Sequence, residues 1–282
     1  MCRWLYAHYL RASHKITIMK ILRTLSVLSL ALLLNGCGNL RIKAYQTYQA
    51  PADVKNLVVT GFYIAPPQLP TVPAGDADAF NKKVEALSEK INASLATNSD
   101  RYYNTLAEGL QMQLNLNTIA GADMAKKPRF DRIKQKEERE LLKVEGNPQF
   151  PTVYLSEEAV QFLELENGDV KAFIEESPRL RSAVRNVTKA TESELLAIGY
   201  ARLVIDKVTT YGAKANLRLL ADIYLFDEKG ELVGHTYGET EPHTFTGEYL
   251  GDFNDVLASY TSLQAEMLTA LTLVEEEKVD ED

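Results

Sequence analysis

Side chains alternate with a period of two over residues 216–225, and this pattern restricts how the chain can fold. Successive side chains of a strand point to opposite faces of a sheet, so one face is apolar and the other mixed. Asp227-Glu228-Lys229-Gly230 supplies a tight turn, with Gly230 free to adopt a positive φ, and Leu232 to Tyr237 returns as the partner strand. The sequence therefore predicts a hairpin with an apolar face of Leu217, Leu219, Ala221, Ile223 and Leu225, and a mixed face of Asn216, Arg218, Leu220, Asp222 and Tyr224.

Apolar residues spaced three and four apart predict several helices. One stripe runs from Phe80 to Leu95, a second from Tyr103 to Leu114, and a third from Phe253 to Val274. Strands interrupt these helices without regular βαβ alternation. The sequence therefore predicts an α+β fold, a mostly antiparallel sheet with helices packed on one face and a C-terminal hairpin followed by a terminal helix.

Short apolar runs predict three further strands. Asn56 to Ile64 is rich in β-branched and aromatic residues and stops before Pro66-Pro67, Pro151 to Leu155 is shorter, and Leu203 to Thr210 precedes the hairpin. Ser156 is a predicted cap for a helix that continues to Leu165. Thr191-Glu192-Ser193-Glu194 matches a capping box, which predicts a short helix leading into Tyr200.

Basic residues are concentrated between Lys126 and Lys136, and acidic residues follow at Glu137, Glu138 and Glu140. Bases and acids in this order along a helix favour charge pairing on a solvated face. The alternative is a patch that binds an anionic polymer or a lipid headgroup, and the interleaved acids argue against it.

Cys37 follows an apolar run near the start of the chain. Lys20 and Arg23 form a basic start, residues 24–34 are uncharged and rich in leucine, and Leu34-Asn35-Gly36-Cys37 comes next. This order is typical of a secretory signal, and the apolar part is shorter than the roughly 17–25 residues of a transmembrane helix. Leu34-Asn35-Gly36-Cys37 resembles the lipobox of bacterial lipoproteins, which signal peptidase II cleaves, and the resemblance covers about Met19 to Gly38. Asn35 departs from the usual pattern, because Ala, Ser or Thr is common at that position.

The resemblance implies that Cys37 becomes the acylated first residue of the mature protein, carrying palmitate or a similar fatty acid. Gly38 follows it, and the lack of Asp there implies sorting to the outer membrane. Residues 1–18 are interpreted as a start assigned too early or an extended basic region, and 19–36 as the signal peptide. We expect residues 37–53 to be the acylated cysteine and a tether, 54–274 a single periplasmic α+β domain, and 275–282 an acidic, unfolded tail.

Removal of residues 1–36 leaves 246 residues with 26 basic and 39 acidic side chains, a net charge of −13. Such a surface repels nucleic acid, so no nucleic-acid partner is expected. The chain has two cysteines, and Cys2 is lost with the signal while Cys37 is acylated. The mature domain therefore has no free thiol for catalysis and no possible disulfide.

The candidate metal ligands all lie between Gly234 and His243. His235, Tyr237, Glu239, Glu241 and His243 would share one face of an extended strand. Eight residues of strand would separate the two histidines by roughly 26 Å, which is too far for one ion. We therefore predict no metal site and interpret these residues as solvent-facing strand and loop positions.

Motifs for catalysis or cofactor binding are not found in the sequence. It has no nucleophile elbow, phosphate-binding loop, dinucleotide fingerprint or zinc-protease helix. Glu176-Ser177 is similar to the Glu-Ser pair of some peptidoglycan-cleaving transglycosylases, but Ile174 and Pro178 do not extend the match. We therefore expect no catalytic residue and no cofactor.

The sequence favours a membrane-anchored envelope lipoprotein whose non-catalytic domain faces the periplasm and binds or supports an unidentified envelope protein. Two alternatives remain open. A carrier of a small ligand or lipid requires an apolar cavity between helices and sheet. A carboxylate-based glycan hydrolase requires two facing acids about 5–10 Å apart.

Overall fold

The computed structural model describes residues 40–68, 98, 100–141, 177–208, 214–246 and 253–273. The chain divides into two compact units, residues 1–38 and 39–282, and every described residue belongs to the second. The signal peptide, Cys37 and the acidic tail lie outside the described residues. So do the predicted helix from Phe80 to Leu95, the strand Pro151–Leu155 and the helix that follows it.

Within the residues that the structure describes, seven strands form one sheet in the order β1-β6-β5-β4-β2-β3, with β7 paired to β5. Among the strand pairs of the described ranges, β2 pairs in parallel with β3 and β4, and the other pairs are antiparallel. This confirms the predicted α+β class, the mostly antiparallel sheet and the helix that follows the last strand. The elements are β1 Arg41–Gln46, β2 Asn56–Gln68, α1 residues 100–114, β3 Asn117–Ala120, α2 Ala122–Ala125, α3 Phe130–Leu141, α4 Pro178–Thr191, β4 Leu195–Val208, β5 Lys214–Asp227, β6 Leu232–Glu239, β7 His243–Thr246 and α5 Phe253–Thr272.

The predicted hairpin is confirmed as β5 and β6, joined by a turn that its own residues stabilise. Asp227 Oδ1 accepts hydrogen bonds from the backbone N–H groups of Lys229 and Glu231, each at 2.9 Å. Gly230 has a φ of 80°, and a Cβ there would lie 2.5 Å from the carbonyl oxygen of Arg181 in α4. Glycine is therefore required both by the backbone conformation and by the contact with α4.

The apolar face of the hairpin forms the centre of the core. Its five predicted residues on β5 are all buried, and Ala201, Ala221 and Gly238 form a row of small residues across three strands. A Cβ on Gly238 would lie 2.6 Å from Met267 Sδ of α5, so the small row lets this helix approach the sheet closely. We call this side of the sheet the helix face. The predicted stripe on α1 is confirmed, because Tyr103, Leu106, Leu110 and Leu114 are all buried.

The predicted helix start at residues 191–194 is wrong, because a helix ends there. Glu192 caps the end of α4 in the left-handed conformation, with φ 56° and ψ 45°. β4 then begins at Leu195, eight residues before the predicted strand. The start of α4 is capped by Ser177, whose hydroxyl accepts a hydrogen bond from the N–H of Leu180 at 3.3 Å, with Pro178 in the first turn. Ser177 of the Glu-Ser pair therefore has a structural role.

β2 extends beyond its predicted end, and β1 forms where the sequence predicted a tether. β2 continues through Pro66-Pro67 to Gln68, whereas β3 pairs with it only up to Val59. In the part of the chain that the structure describes, the proline-bearing end of β2 pairs with β4 alone, and an edge position tolerates proline. Arg41–Gln46 lies within the predicted tether and forms β1, an edge strand paired with β6.

The basic stretch lies on α2, α3 and the turn between them. Lys126 pairs with Asp123 at 2.6 Å, and Lys127 pairs with Glu192 at 3.3 Å. Both partners differ from the predicted Glu137, Glu138 and Glu140, whose side chains lie outside the part that the structure describes, so the predicted pairing along the helix stays a prediction. None of the helices in the described ranges has the length and apolar content needed to cross a bilayer.

Candidate functional site

The side of the sheet opposite the helix face carries charged and aromatic residues on four strands. Side chains directly opposite each other on antiparallel strands share a face, so the register identifies these neighbours. Asp222 lies opposite both Tyr200 and Tyr237, Tyr237 lies opposite Lys43, and Tyr224 lies opposite His235. We call this side the polar face and define it by Lys43, Tyr45, Tyr200, Arg202, Arg218, Asp222, Tyr224, His235, Tyr237 and Glu239.

His235 is buried on this face, with a side chain only 2% exposed. The prediction that it faces solvent is therefore wrong. Its Nε2 lies 2.8 Å from Asp222 Oδ1 on the adjacent strand. A carboxylate accepts hydrogen bonds, so the Nε2–H of the imidazole is the donor of this bond. Asp222 therefore holds the imidazole in a single orientation.

Two tyrosine rings stack on the imidazole of His235, one from each neighbouring strand. The ring centroid of Tyr45 on β1 lies 4.7 Å from that of the imidazole, with an interplanar angle of 18°. The ring centroid of Tyr224 on β5 lies 4.3 Å from it, with an interplanar angle of 21°. The ammonium of Lys43 lies 4.3 Å from the centroid of the Tyr45 ring, within the range of a cation–π interaction. The stack therefore links the edge strand to the centre of the sheet.

A second cluster on the polar face is centred on Glu239, at the end of β6. Arg218 Nη1 forms an ion pair with Glu239 Oε1, and the Tyr237 hydroxyl donates to Glu239 Oε2 at 3.2 Å. The side chain of Glu239 is 13% exposed and that of Arg218 is 26% exposed. A carboxylate that accepts hydrogen bonds on both oxygens is held in one position.

Two tyrosines of the polar face have raised pKa values. Burial is the main cause for Tyr237, the charge of Glu239 and the hydrogen bond to it add to the effect, and the pKa rises to about 12. Burial also raises the pKa of Tyr200 to about 12, with an opposing effect of Arg202 and a further increase from Asp222. Both phenols are therefore neutral hydrogen-bond donors at physiological pH.

We expect the free energy of unfolding to decrease as the pH rises from about 10 to about 12. An unfolded tyrosine releases its proton near pH 10, whereas folded Tyr237 and Tyr200 retain theirs to about pH 12. Their contribution is complete below pH 10 and is lost as the pH rises through the folded-state values. Urea unfolding across this range measures the decrease, and Tyr237→Phe should make it shallower. An unchanged slope in that variant would contradict the assignment to Tyr237.

The structure separates the five residues that the sequence placed on one face of an extended strand. His235, Tyr237 and Glu239 lie on β6, Glu241 follows its end, and His243 begins β7. His243 lies opposite Leu217, which belongs to the helix face, whereas His235 lies opposite Tyr224 on the polar face. Leu217 and Tyr224 are separated by roughly 23 Å of strand. Among the residues with assigned positions, no three His, Cys, Asp or Glu residues are placed to hold a metal ion.

Asp222 and Glu239 are the two carboxylates of the polar face. Each one already receives a hydrogen bond from a neighbouring side chain, Asp222 from His235 and Glu239 from Arg218 and Tyr237. On the helix face, a Cβ built on Gly238 would lie 2.6 Å from Met267 Sδ, so α5 packs closely on the sheet at this point. In the part of the chain that the structure describes, the polar face is therefore a set of side chains held in place by their neighbours.

The fold and the polar face together define an α+β domain built on one mostly antiparallel sheet, with ordered charged and aromatic residues on its polar face. No family model matches the chain, and no curated protein matches it. Among solved structures, it is similar to the dodecamer of a PelC point variant from Paraburkholderia phytofirmans, with 10% identity and a TM-score of 0.35 over 84% of this chain and 100% of that one. The PelC dodecamer of the same organism in another crystal form gives 10% identity and a TM-score of 0.33 with the same coverage. These values are too low to support an inference about function.

Proposed function

We propose that the protein is an outer-membrane lipoprotein, anchored through acylated Cys37, whose periplasmic domain binds an envelope partner through the polar face. The binding role is supported by the hydrogen bonds and the ion pair that connect the side chains of this face to one another. Asp222 holds His235 at 2.8 Å, and Arg218 and Tyr237 hold Glu239. Side chains fixed before contact lose little entropy when a partner binds, which favours recognition by a rigid surface.

Tyr45 is the residue of the polar face best placed to meet a partner directly. It is 45% exposed, yet its ring is stacked on His235 and contacted by the ammonium of Lys43. Tyrosine and arginine are enriched among the residues that contribute most to binding at protein interfaces. Tyr45 and Arg218 of the same face are therefore the residues expected to contribute most to the contact.

The anchor is tested by metabolic labelling with a fatty acid. We expect the wild type to be labelled, Cys37→Ser to lose the label, and Cys2→Ser to keep it, because Cys2 lies in the part removed with the signal. Mass spectrometry of the mature N-terminus identifies the acylated residue. An unlabelled wild type, or a label that survives Cys37→Ser, overturns the anchor.

The binding role is tested by chemical crosslinking in intact cells and purification of the protein with its adducts. We expect one defined envelope protein to be recovered with the wild type and lost with Tyr45→Ala. Met112→Ala is a matched control, because Met112 is 77% exposed on α1, away from the polar face. Equal recovery with Tyr45→Ala and the control would show that the polar face is not the contact.

A further inference from the structure

The end of α5 lies beside the edge strand β1. The backbone N–H of Tyr48, two residues beyond the end of β1, donates a hydrogen bond of 2.7 Å to the carbonyl of Leu271 in α5. α5 also packs against β1 and β6. The described part of the chain stops at residue 273, and Glu275 follows two positions later. The acidic tail, residues 275–282, therefore starts next to β1.

The place where the acidic tail starts is itself negative. The tail contains six acidic residues and Lys278, and its first acids follow the C-terminal end of α5. The helix dipole is negative there, and the last turn of α5 has no basic residue. Burial raises the pKa of Tyr48, and the charges of Asp227 and Asp53 raise it further, so both carboxylates lie close to this point. The acids of the tail are therefore repelled from the end of α5.

The cations of β1 are available to the acids of the tail. Residues 38–52 contain Arg41 and Lys43 and no acidic residue. Both cations are exposed, and neither forms a salt bridge within the described ranges. Glu239 lies opposite Arg41, but its carboxylate is already in an ion pair with Arg218. An external carboxylate can therefore pair with Arg41 or Lys43 without displacing another acid.

The acidic tail is long enough to reach these cations. Lys43 and Tyr48 are five residues apart, which is roughly 17 Å of strand. Six residues of extended chain span about 20 Å, so the acids from Glu277 onwards can reach Lys43 from Leu271. β1 is the edge of the sheet in the described ranges, and no other described strand covers its outer side.

Other cations near the start of the tail lie among acids. Lys229 follows Glu228 in the turn between β5 and β6, and Arg181 of α4 pairs with Glu231 at 3.5 Å. An acidic segment would meet like charges at either position. β1 is therefore the better site for the tail.

We infer that the acidic tail docks on Arg41 and Lys43 of β1 and covers the Lys43 and Tyr45 part of the polar face until a partner displaces it. The displacement rests on the proposed function, because the expected contact of the envelope partner includes Tyr45. A segment tethered this close has an effective concentration in the millimolar range. The tail therefore admits only a partner that binds the polar face more tightly than the tail does.

Docking is tested with the acylated protein in detergent micelles, carrying a pair of nitroxide labels at Ala44→Cys and Val279→Cys. Ala44 is an exposed residue of β1, and the acylated mature chain has no other free thiol. Double electron–electron resonance measures the distance distribution, in which the docked tail gives a short, narrow component. If mass spectrometry finds a third label on Cys37, the anchor fails, and Cys37→Ser restores the single pair for the same measurement.

The dependence on charge is tested with Arg41→Gln/Lys43→Gln. The ratio of docked to undocked tail should fall about 5-fold, which corresponds to the loss of two exposed ion pairs. Raising the salt concentration from 0.1 M to 1 M shortens the screening length from about 10 Å to about 3 Å and should have a similar effect. Arg185→Gln/Lys189→Gln, which removes two exposed cations from α4, is the matched control and should leave the ratio unchanged. A ratio that the β1 variant does not change, or that the α4 variant lowers equally, overturns docking.

The displacement is tested by deleting residues 275–282 and repeating the crosslinking in intact cells. A site that the tail leaves free only part of the time binds more weakly in proportion, so the deletion should strengthen recovery of the envelope partner about 5-fold. Unchanged recovery overturns the displacement. If neither the wild type nor the deletion variant recovers a defined partner, the proposed function fails and the displacement with it. The resonance measurement needs no partner, so it decides docking in either case.

Discussion

Replacing Phe62 with alanine is expected to lower the free energy of unfolding by about 4 kcal/mol. Phe62 lies on β2 and is completely buried at the junction of the sheet with α1 and α5. Its ring centroid is 5.6 Å from that of Tyr102 on α1 and 5.1 Å from that of Tyr260 on α5. Truncation therefore removes a large buried ring, leaves a cavity and breaks the contact that joins both helices to the sheet.

Urea unfolding of the wild type and of Phe62→Ala, followed by circular dichroism, measures this loss of stability. Phe62→Leu retains most of the buried volume and should lose clearly less stability than Phe62→Ala. Met112→Ala truncates a side chain that is 77% exposed on α1, and a change within about 0.5 kcal/mol is expected. A loss below about 1 kcal/mol for Phe62→Ala would mean that the three rings do not pack as described.

The sequence predicted the elements whose pattern has a single interpretation. The alternation over residues 216–225, with turn residues immediately after it, can form a hairpin strand but not a helix. The apolar stripes of α1 and α5 recur at the helical period over several turns, and both helices are present. In these segments the local pattern and the tertiary packing agree, which is why the fold class could be predicted.

The beginning of β4 could not be recognised in the same way. Leu195 to Ile198 are all buried, so this part of the strand has no polar face and its apolar run does not distinguish strand from helix. The hydroxyl and acidic residues before it can cap a helix start, but Thr191 instead ends α4, where its hydroxyl donates to the carbonyl of Val187 at 2.9 Å. The Ser-Pro pair at residues 177–178 was the local signal for the start of α4.

The candidate site depends on register, which local patterns do not specify. Phe226 pairs with Leu232, and continuing that pairing without interruption would place His235 opposite Ile223 on the helix face. An irregularity at this point adds one residue to β6, and His235 lies opposite Tyr224 on the polar face instead. A shift of one residue reverses every side chain of a strand. Asp222 and Tyr45 could therefore not be assigned to His235 from sequence, although the mixed face that carries Asp222 was predicted.

Replacing Asp222 with alanine is expected to lower the free energy of unfolding by about 3 kcal/mol. His235 is 2% exposed and donates to Asp222 at 2.8 Å, so the variant leaves a buried N–H without its acceptor. An unsatisfied buried donor costs about 1–3 kcal/mol, and more when the lost partner is charged. Asp222→Asn retains an acceptor oxygen and should cost only about 1 kcal/mol, which separates the effect of the hydrogen bond from that of the charge.

A double-mutant cycle with His235→Phe isolates this pair from the rest of the stack. Phenylalanine can still stack between Tyr45 and Tyr224, which flank the imidazole at 4.7 Å and 4.3 Å, but it has no N–H. In that background, Asp222→Ala should cost less than about 1 kcal/mol, giving a coupling energy of about 2 kcal/mol. Nitrogen NMR of the wild type should show a proton on Nε2 of His235. The signals are simple to assign, because His243 is the one other histidine after residue 36. A coupling energy near zero, or an Nε2 without a proton, would mean that Asp222 does not orient the imidazole and that the polar face is not held together through this pair.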